Sequence, residues 1–93
     1  MGITIALPSA LLPYAGGSSK VVLEDRCATV GDVLAALGER HGGVVDRVMD
    51  ERGELRRHVN VFVDGEDVRF LEGLATPVGE SSTVVIFPAV SGG

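Results

Sequence analysis

VNVFVDGEDVRF, residues 59–70, predicts a β-hairpin. Three valines at alternate positions in residues 59–63 are typical of a strand that buries one face. Asp64-Gly65 is a strong signal for a tight turn, because glycine adopts a positive φ at little steric cost. Residues 66–70 should then return as a short strand beside the first.

Three further strands are predicted, two before this hairpin in the sequence and one after it. Residues 3–7 (ITIAL) alternate between larger and smaller side chains and stop at Pro8. Residues 20–24 (KVVLE) form a second short strand, so the first two strands are expected to pair as an antiparallel hairpin with a long connection. Residues 83–87 (TVVIF) are a last, wholly apolar strand, and Pro88 ends it.

One main helix is predicted after Thr29, whose hydroxyl can cap an early backbone N–H. Asp32, three residues on, supplies a weaker form of the capping box. The apolar stripe has the i, i+3, i+4, i+7 spacing of a helix and consists of Val30, Val33, Leu34 and Leu37. Gly42-Gly43 should end this helix by adopting positive φ. Residues 45–49 can add one buried turn, and residues 50–54 read as an exposed loop.

Together these elements predict an α+β roll, a mixed sheet of four or five strands with one main helix on one face. The first and last strands are both strongly apolar and should be parallel neighbours in the middle of the sheet. The last strand is apolar on both faces, but a single helix covers only one of them. The residues expected to face the helix are Val59, Val61, Val63, Val84 and Ile86. Phe62, Val85 and Phe87 would then face outward as a candidate docking surface for a partner, unless residues 71–82 cover them.

Size and charge exclude several classes of function. A chain of 93 residues is one domain, too short to enclose a large substrate pocket and also keep a core. It has 8 Lys+Arg against 13 Asp+Glu, a net charge of −5, which would repel a phosphate backbone, so no nucleic-acid binding is expected. No stretch approaches the roughly 18 apolar residues of a membrane span. The one cysteine, Cys27, cannot form an internal disulfide, which favours the cytoplasm.

The sequence offers little for catalysis. His41 and His58 are its only histidines and Cys27 its only thiol, and none of them has metal-ligand spacing. His41 is expected near the end of the helix, where the helix dipole favours a cation. Cys27 precedes the helix, where a thiolate would be somewhat stabilised, but no base is assigned to it. We therefore predict that the chain is not an enzyme and holds no metal.

The C-terminal carboxylate is the reactive group that remains, and it follows two glycines. Residues 1–88 are predicted to be the folded domain and residues 89–93 a flexible tail. Fully extended, five residues reach at most about 17 Å. The tip of the tail lacks Cβ atoms and could pass through a narrow channel into a partner's active site. The alternative interpretation is a frayed terminus. The tail residues are Ala89, Val90, Ser91, Gly92 and Gly93.

Three segments carry a family resemblance: residues 59–70, GLATPV at 73–78 and VVIFPAVSGG at 84–93. They resemble the ubiquitin-like, β-grasp sulfur carriers of the ThiS/MoaD family, and the resemblance covers essentially the whole chain. Its most specific element is the terminal PAVSGG. The extra stretch 44–57 is similar to the CysO-type branch, whose carriers supply sulfide to an O-phosphoserine-dependent cysteine synthase.

The resemblance implies a cycle at Gly93. A ubiquitin-activating-like adenylyltransferase would use ATP to adenylate the Gly93 carboxylate, and a sulfur donor would displace AMP to leave a thiocarboxylate. The tail would then enter a sulfur-accepting synthase. In the favoured pathway, cysteine biosynthesis, the acceptor is an aminoacrylate on pyridoxal phosphate and a metalloprotease releases cysteine. ATP and pyridoxal phosphate belong to the partners, so no cofactor is expected on this chain.

Other functions stay open at this point. The same tail suits the small subunit of molybdopterin synthase, or a sulfur donor for thiamine or for a thiosugar or other secondary metabolite. A different class is a ubiquitin-like modifier, in which Gly93 forms an isopeptide bond with a lysine of another protein. A plain β-grasp interaction domain with an incidental tail is the last alternative.

Overall fold

The computed structural model of the chain describes residues 2–88. The strands are β1 (Ile3–Ala6), β2 (Lys20–Leu23), β3 (Val59–Val63), β4 (Glu66–Asp67) and β5 (Thr83–Pro88). The α-helices are α1 (Val30–Arg40) and α2 (Gly42–Val48), and 3-10 turns span Ser9–Ala15, Val68–Phe70 and Gly73–Ala75.

Within residues 2–88, five strands form one mixed sheet in the order β2-β1-β5-β3-β4. β1 and β5 pair in parallel, with Ile5 opposite Val84, and the other neighbours are antiparallel. The prediction that the first and last strands are parallel neighbours in the middle is confirmed. This strand order, with α1 packed on one face, is that of a β-grasp fold.

The inner face of the sheet is the side that packs against α1. Its buried residues on the central strands are those predicted from the alternation: Val59, Val61, Val63, Val84 and Ile86. The buried stripe of α1 also follows the prediction and includes Val30, Val33, Leu34 and Leu37. Burying a side chain of this size contributes about 1.5–3 kcal/mol, so these contacts dominate the stability of the domain.

The start of α1 is held by a reciprocal capping box. The Thr29 Oγ1 accepts a hydrogen bond from the Asp32 N–H at 3.2 Å. In return, Asp32 Oδ2 accepts from the backbone N–H groups of Ala28 at 2.9 Å and Thr29 at 3.2 Å. These backbone donors hold the pKa of the Asp32 carboxyl below its ordinary value. The predicted cap is confirmed.

The prediction that Gly42-Gly43 end α1 with positive φ is wrong. His41 is the C-cap, and Gly42 begins α2 without a positive φ. Residue 43 is glycine for packing instead, because a Cβ there would lie 3.2 Å from Tyr14 Cδ1. A glycine at that position lets the turn of residues 9–15 approach α2 closely.

The returning strand of the hairpin is shorter than predicted. It ends at Asp67, and Val68–Phe70 form a 3-10 turn in place of the rest of a strand over 66–70. The Asp67 Oδ1 accepts a hydrogen bond from the Arg69 N–H at 2.8 Å and so stabilises the turn. This turn leaves the Phe70 side chain 87% exposed.

Candidate functional site

The base of the predicted tail is the central strand of the sheet. β5 lies between β1 and β3, and its last paired residue is Pro88, opposite Val59. Residues 89–93, which include Gly92 and Gly93, lie outside the described residues, and their roles stay predictions. The structure therefore defines the point on the domain from which the tail begins.

The start of β5 is tied to the predicted hairpin turn by Asp64. Its Oδ1 accepts a hydrogen bond from the Thr83 N–H at 2.9 Å, and its Oδ2 accepts from the Ser82 hydroxyl at 2.9 Å. Asp64 has a φ of 49° and Gly65 a φ of 91°, the left-handed region that Asp tolerates and glycine favours. The turn that joins β3 to β4 thus also fixes where β5 begins.

The outer face of the sheet, opposite α1, carries the predicted docking residues. Phe62 and Val85 are half-buried, whereas the Phe87 side chain is 47% exposed. The rings of Phe62 and Phe87 meet edge to face, with centroids 5.6 Å apart and planes at 87°. The predicted outward orientation is confirmed, and residues 71–82 do not cover Phe87.

Two residues that the sequence reasoning missed extend this surface. Ala6 lies opposite Val85, which lies opposite Phe62, so these three form one row across three strands. Val22 of β2 is 49% exposed, and its side chain also lies on the outer face of the sheet. The alternation of β1 and β2 already places both side chains outward, but only the strand order puts Ala6 in the row of Phe62 and Val22 on the same face, opposite Thr4. We call this set the outer apolar face: Ala6, Val22, Phe62, Val85 and Phe87.

The remaining candidate groups do not come together as a catalytic site. Burial raises the pKa of the half-buried Cys27 thiol, and the carboxylates of Asp25 and Asp32 raise it further. The prediction that the helix start stabilises a Cys27 thiolate is therefore wrong.

Across residues 2–88, no three His, Cys, Asp or Glu side chains are grouped so that they could hold a metal ion. No helix in that range has the length and apolarity to cross a membrane.

Comparison with known sequences identifies a family. The sequence model of the ThiS family matches residues 5–93. The sulfur carrier protein CysO of Mycobacterium tuberculosis is 40% identical over 95 residues, which covers 100% of both chains. Small archaeal modifier protein 3 of Haloferax volcanii is 42% identical over 69 residues, 74% of each chain. These names describe a carrier and a modifier, in agreement with the prediction that this chain is not an enzyme.

Comparison with solved structures confirms the predicted β-grasp, ubiquitin-like fold. A chain in the crystal structure of the Amycolatopsis orientalis BexX/CysO complex superposes with a TM-score of 0.87 at 38% identity. The match covers 98% of this chain and 99% of that one. Sequence and structure therefore agree that the chain belongs to the ThiS family and is similar to its CysO-type sulfur carriers.

Proposed function

We propose that the chain is a sulfur carrier whose Gly93 carboxylate is adenylated by an ATP-dependent activating enzyme and converted to a thiocarboxylate. The observation that carries this proposal is the end-to-end similarity to a CysO sulfur carrier, in a family match that extends to residue 93. The single cysteine, which cannot form an internal disulfide, favours the cytoplasm for this cycle.

The chemistry explains why a partner must supply the catalytic groups. A carboxylate is a poor electrophile, so its oxygen first attacks the α-phosphorus of ATP and pyrophosphate leaves. A sulfide-level donor then attacks the acyl carbon, the C–O bond to AMP breaks, and a C–S bond replaces it. The resulting thiocarboxylate is a soft nucleophile that a synthase can direct at its acceptor. The nucleotide belongs to the activating enzyme, and this chain contributes the carboxyl end.

The outer apolar face is the proposed docking surface for the activating enzyme. Phe87 immediately precedes Pro88, so an enzyme that holds this face also holds the base of the tail. Lys20 and Asp67 lie at the two ends of the Ala6 row, which gives the apolar centre a polar rim. With five residues beyond Pro88, the enzyme's reacting centre must lie within about 17 Å of that residue.

We place the sulfur transfer in cysteine biosynthesis, because the similarity to CysO covers the full length. In that pathway a pyridoxal-phosphate synthase accepts the sulfur and a metalloprotease releases cysteine. Synthesis of molybdopterin, thiamine or a thiosugar are the alternative destinations. Similarity to two Haloferax volcanii proteins named small archaeal modifiers favours a second candidate, conjugation of Gly93 to lysines.

Intact-mass measurement tests the proposal. The purified chain is incubated with ATP, its activating enzyme and sulfide, and its mass should rise by the difference between one sulfur and one oxygen atom. A chain with one alanine added after Gly93 is the matched control and should stay unchanged. An unmodified wild-type chain, with an enzyme shown to be active on another carrier, would overturn the proposal. A ladder of conjugates on a denaturing gel would support the second candidate.

A further inference from the structure

A groove of about 240 Å³ opens at the end of β5, between the turn of residues 9–15 and the ends of β3 and β5. Leu11, Tyr14, Ile86 and Phe87 are among its apolar walls. Because Phe87 also belongs to the outer apolar face, the groove continues that face around the end of β5. We call it the basic groove.

The charged lining of the basic groove has one sign. Arg47 is the charged residue that lines it, the His58 imidazole lies beside it in the lining, and no carboxylate of the described residues does. An adjoining hollow of about 360 Å³ adds Arg56 to these two, with Asp46 as its acidic residue. The whole chain has a net charge of −5, so a basic site here is a local exception. Such an exception favours a negatively charged occupant.

The cationic side chains of this site are held in place. The Arg47 guanidinium lies 3.6 Å from the centre of the Tyr14 ring and donates to the Gly43 carbonyl at 3.3 Å. Arg56 Nη2 donates to the Asp46 carbonyl at 3.0 Å. Arg69, which lies in the turn after β4, donates from Nη2 to the Arg56 carbonyl at 2.9 Å and so fixes the segment that precedes His58. A held guanidinium loses less conformational entropy when it binds a carboxylate.

The basic groove also lies at the base of the tail. Val59, which lines the groove, pairs directly with Pro88, the last described residue of β5. A partner that binds the chain at Pro88 would therefore lie next to the strand end that Arg47 and His58 flank.

We propose that the basic groove binds an acidic segment of the activating enzyme. An apolar side chain of that segment would enter between Tyr14 and Phe87, and an adjacent Asp or Glu carboxylate would pair with Arg47. Arginine binds a carboxylate through two parallel N–H donors, which sets orientation as well as affinity. The identity of the partner rests on the proposed function, whereas the acidic chemistry rests on the lining of the groove.

Calorimetric titration of the full chain with its activating enzyme tests this inference at low and high salt. At low salt, Arg47→Gln should raise the Kd about tenfold, and the difference should shrink at high salt because screening weakens the pair. Arg26→Gln is the matched control, with the same change of charge in a hollow lined by Glu24, Asp25 and Glu80. Arg47→Lys should recover part of the affinity, and far-UV circular dichroism verifies that each variant is folded. Equal Kd values for Arg47→Gln and Arg26→Gln would overturn the inference.

Two other occupants are separate outcomes of the test. If the chain's own tail fills the groove, Val90→Gly will shift the ¹H–¹⁵N signals of Tyr14 and His58 in the free protein, and the inference is wrong. If a second copy fills it, sedimentation will show a wild-type dimer that Arg47→Gln dissociates, and the inference is again wrong. The sulfur-for-oxygen mass increase on wild-type chain distinguishes the two proposals. An increase together with unaffected Arg47→Gln binding overturns the groove alone, whereas no increase overturns the proposed function.

Discussion

The two faces of β3 and β5 are both apolar, but they differ in what covers them. On the inner face, Val61 and Ile86 are each 1% exposed beneath α1. On the outer face, one residue further along β5, Phe87 is 47% exposed. Hydrophobicity alone therefore does not distinguish a side chain that is buried in the core from one that stays exposed on the sheet. The position of the helix makes that distinction, and substitutions on the two faces should separate stability from recognition.

The largest expected effect is on the inner face. Ile86→Ala should lower the free energy of unfolding by about 2–5 kcal/mol, because it leaves a cavity at a position where the side chain is only 1% exposed. Urea unfolding measures the change, with Val85→Ala on the outer face of the same strand as the control. A similar loss for the two variants would break the distinction between the faces.

The next effect is on the outer face and concerns binding. Phe87→Asp should leave the fold intact and weaken binding to the activating enzyme at least tenfold, about 1.4 kcal/mol, because a carboxylate there must be desolvated at the interface. Phe70→Asp is the matched control, since Phe70 is 87% exposed but lies in the turn after β4. Equal losses for both variants would mean that exposed aromatic area in general, rather than the outer apolar face, governs binding.

The smallest effect is expected at the start of α1, the helix that covers the inner face. Thr29→Ala removes one half of the capping box and should cost about 1 kcal/mol of stability at neutral pH, with binding to the enzyme unchanged. Thermal unfolding measures the loss, and weaker binding would show that this end of the helix also serves recognition.

The contribution of Asp32 to the same capping box should depend on pH. Its pKa is lowered from 3.8 by the backbone donors, so the carboxylate contributes stability above that value and loses it as the pH falls through the lower, folded-state pKa. Asp32→Asn should therefore unfold at a lower temperature than wild type at pH 7, and the gap should close at strongly acid pH. A gap of constant size would mean that the charge of Asp32 is irrelevant to the cap.

Local patterns were sufficient to predict most of the sheet. Alternation in residues 59–63 and 83–87 identified the inner side chains, because a strand places successive residues on opposite faces. The two errors of structure lie at Gly42-Gly43 and at residues 68–70. At the first, Gly43 packs against the ring of Tyr14, and such a contact between distant segments leaves no trace in local sequence. At the second, the Asp67 carboxylate accepts from the Arg69 N–H, a local bond that competes with the strand.

In the candidate site, too, some residues could be predicted from local patterns and others only from the tertiary structure. Phe62, Val85 and Phe87 lie on strongly patterned strands and could be predicted from them. Ala6 and Val22 needed the order of all five described strands. The basic groove combines Tyr14, Arg47 and His58 from three separate segments, so no single stretch of sequence indicates it. The role proposed for Gly93 came from family resemblance, since terminal glycines alone also fit a frayed end.

The position of β5 between β1 and β3 has a mechanical consequence. β5 is hydrogen-bonded to a neighbour on each side, so a pull at Pro88 along the strand loads both sets of bonds together, in shear rather than one bond at a time. We expect the domain to stay folded while an enzyme draws the tail into a narrow channel. In the proposed cycle the domain would stop at the channel mouth, and the number of residues after Pro88 would set how deep the terminal carbonyl carbon reaches. Each inserted residue would move that carbon by about 3.3 Å, more than the length of any bond that the enzyme has to form.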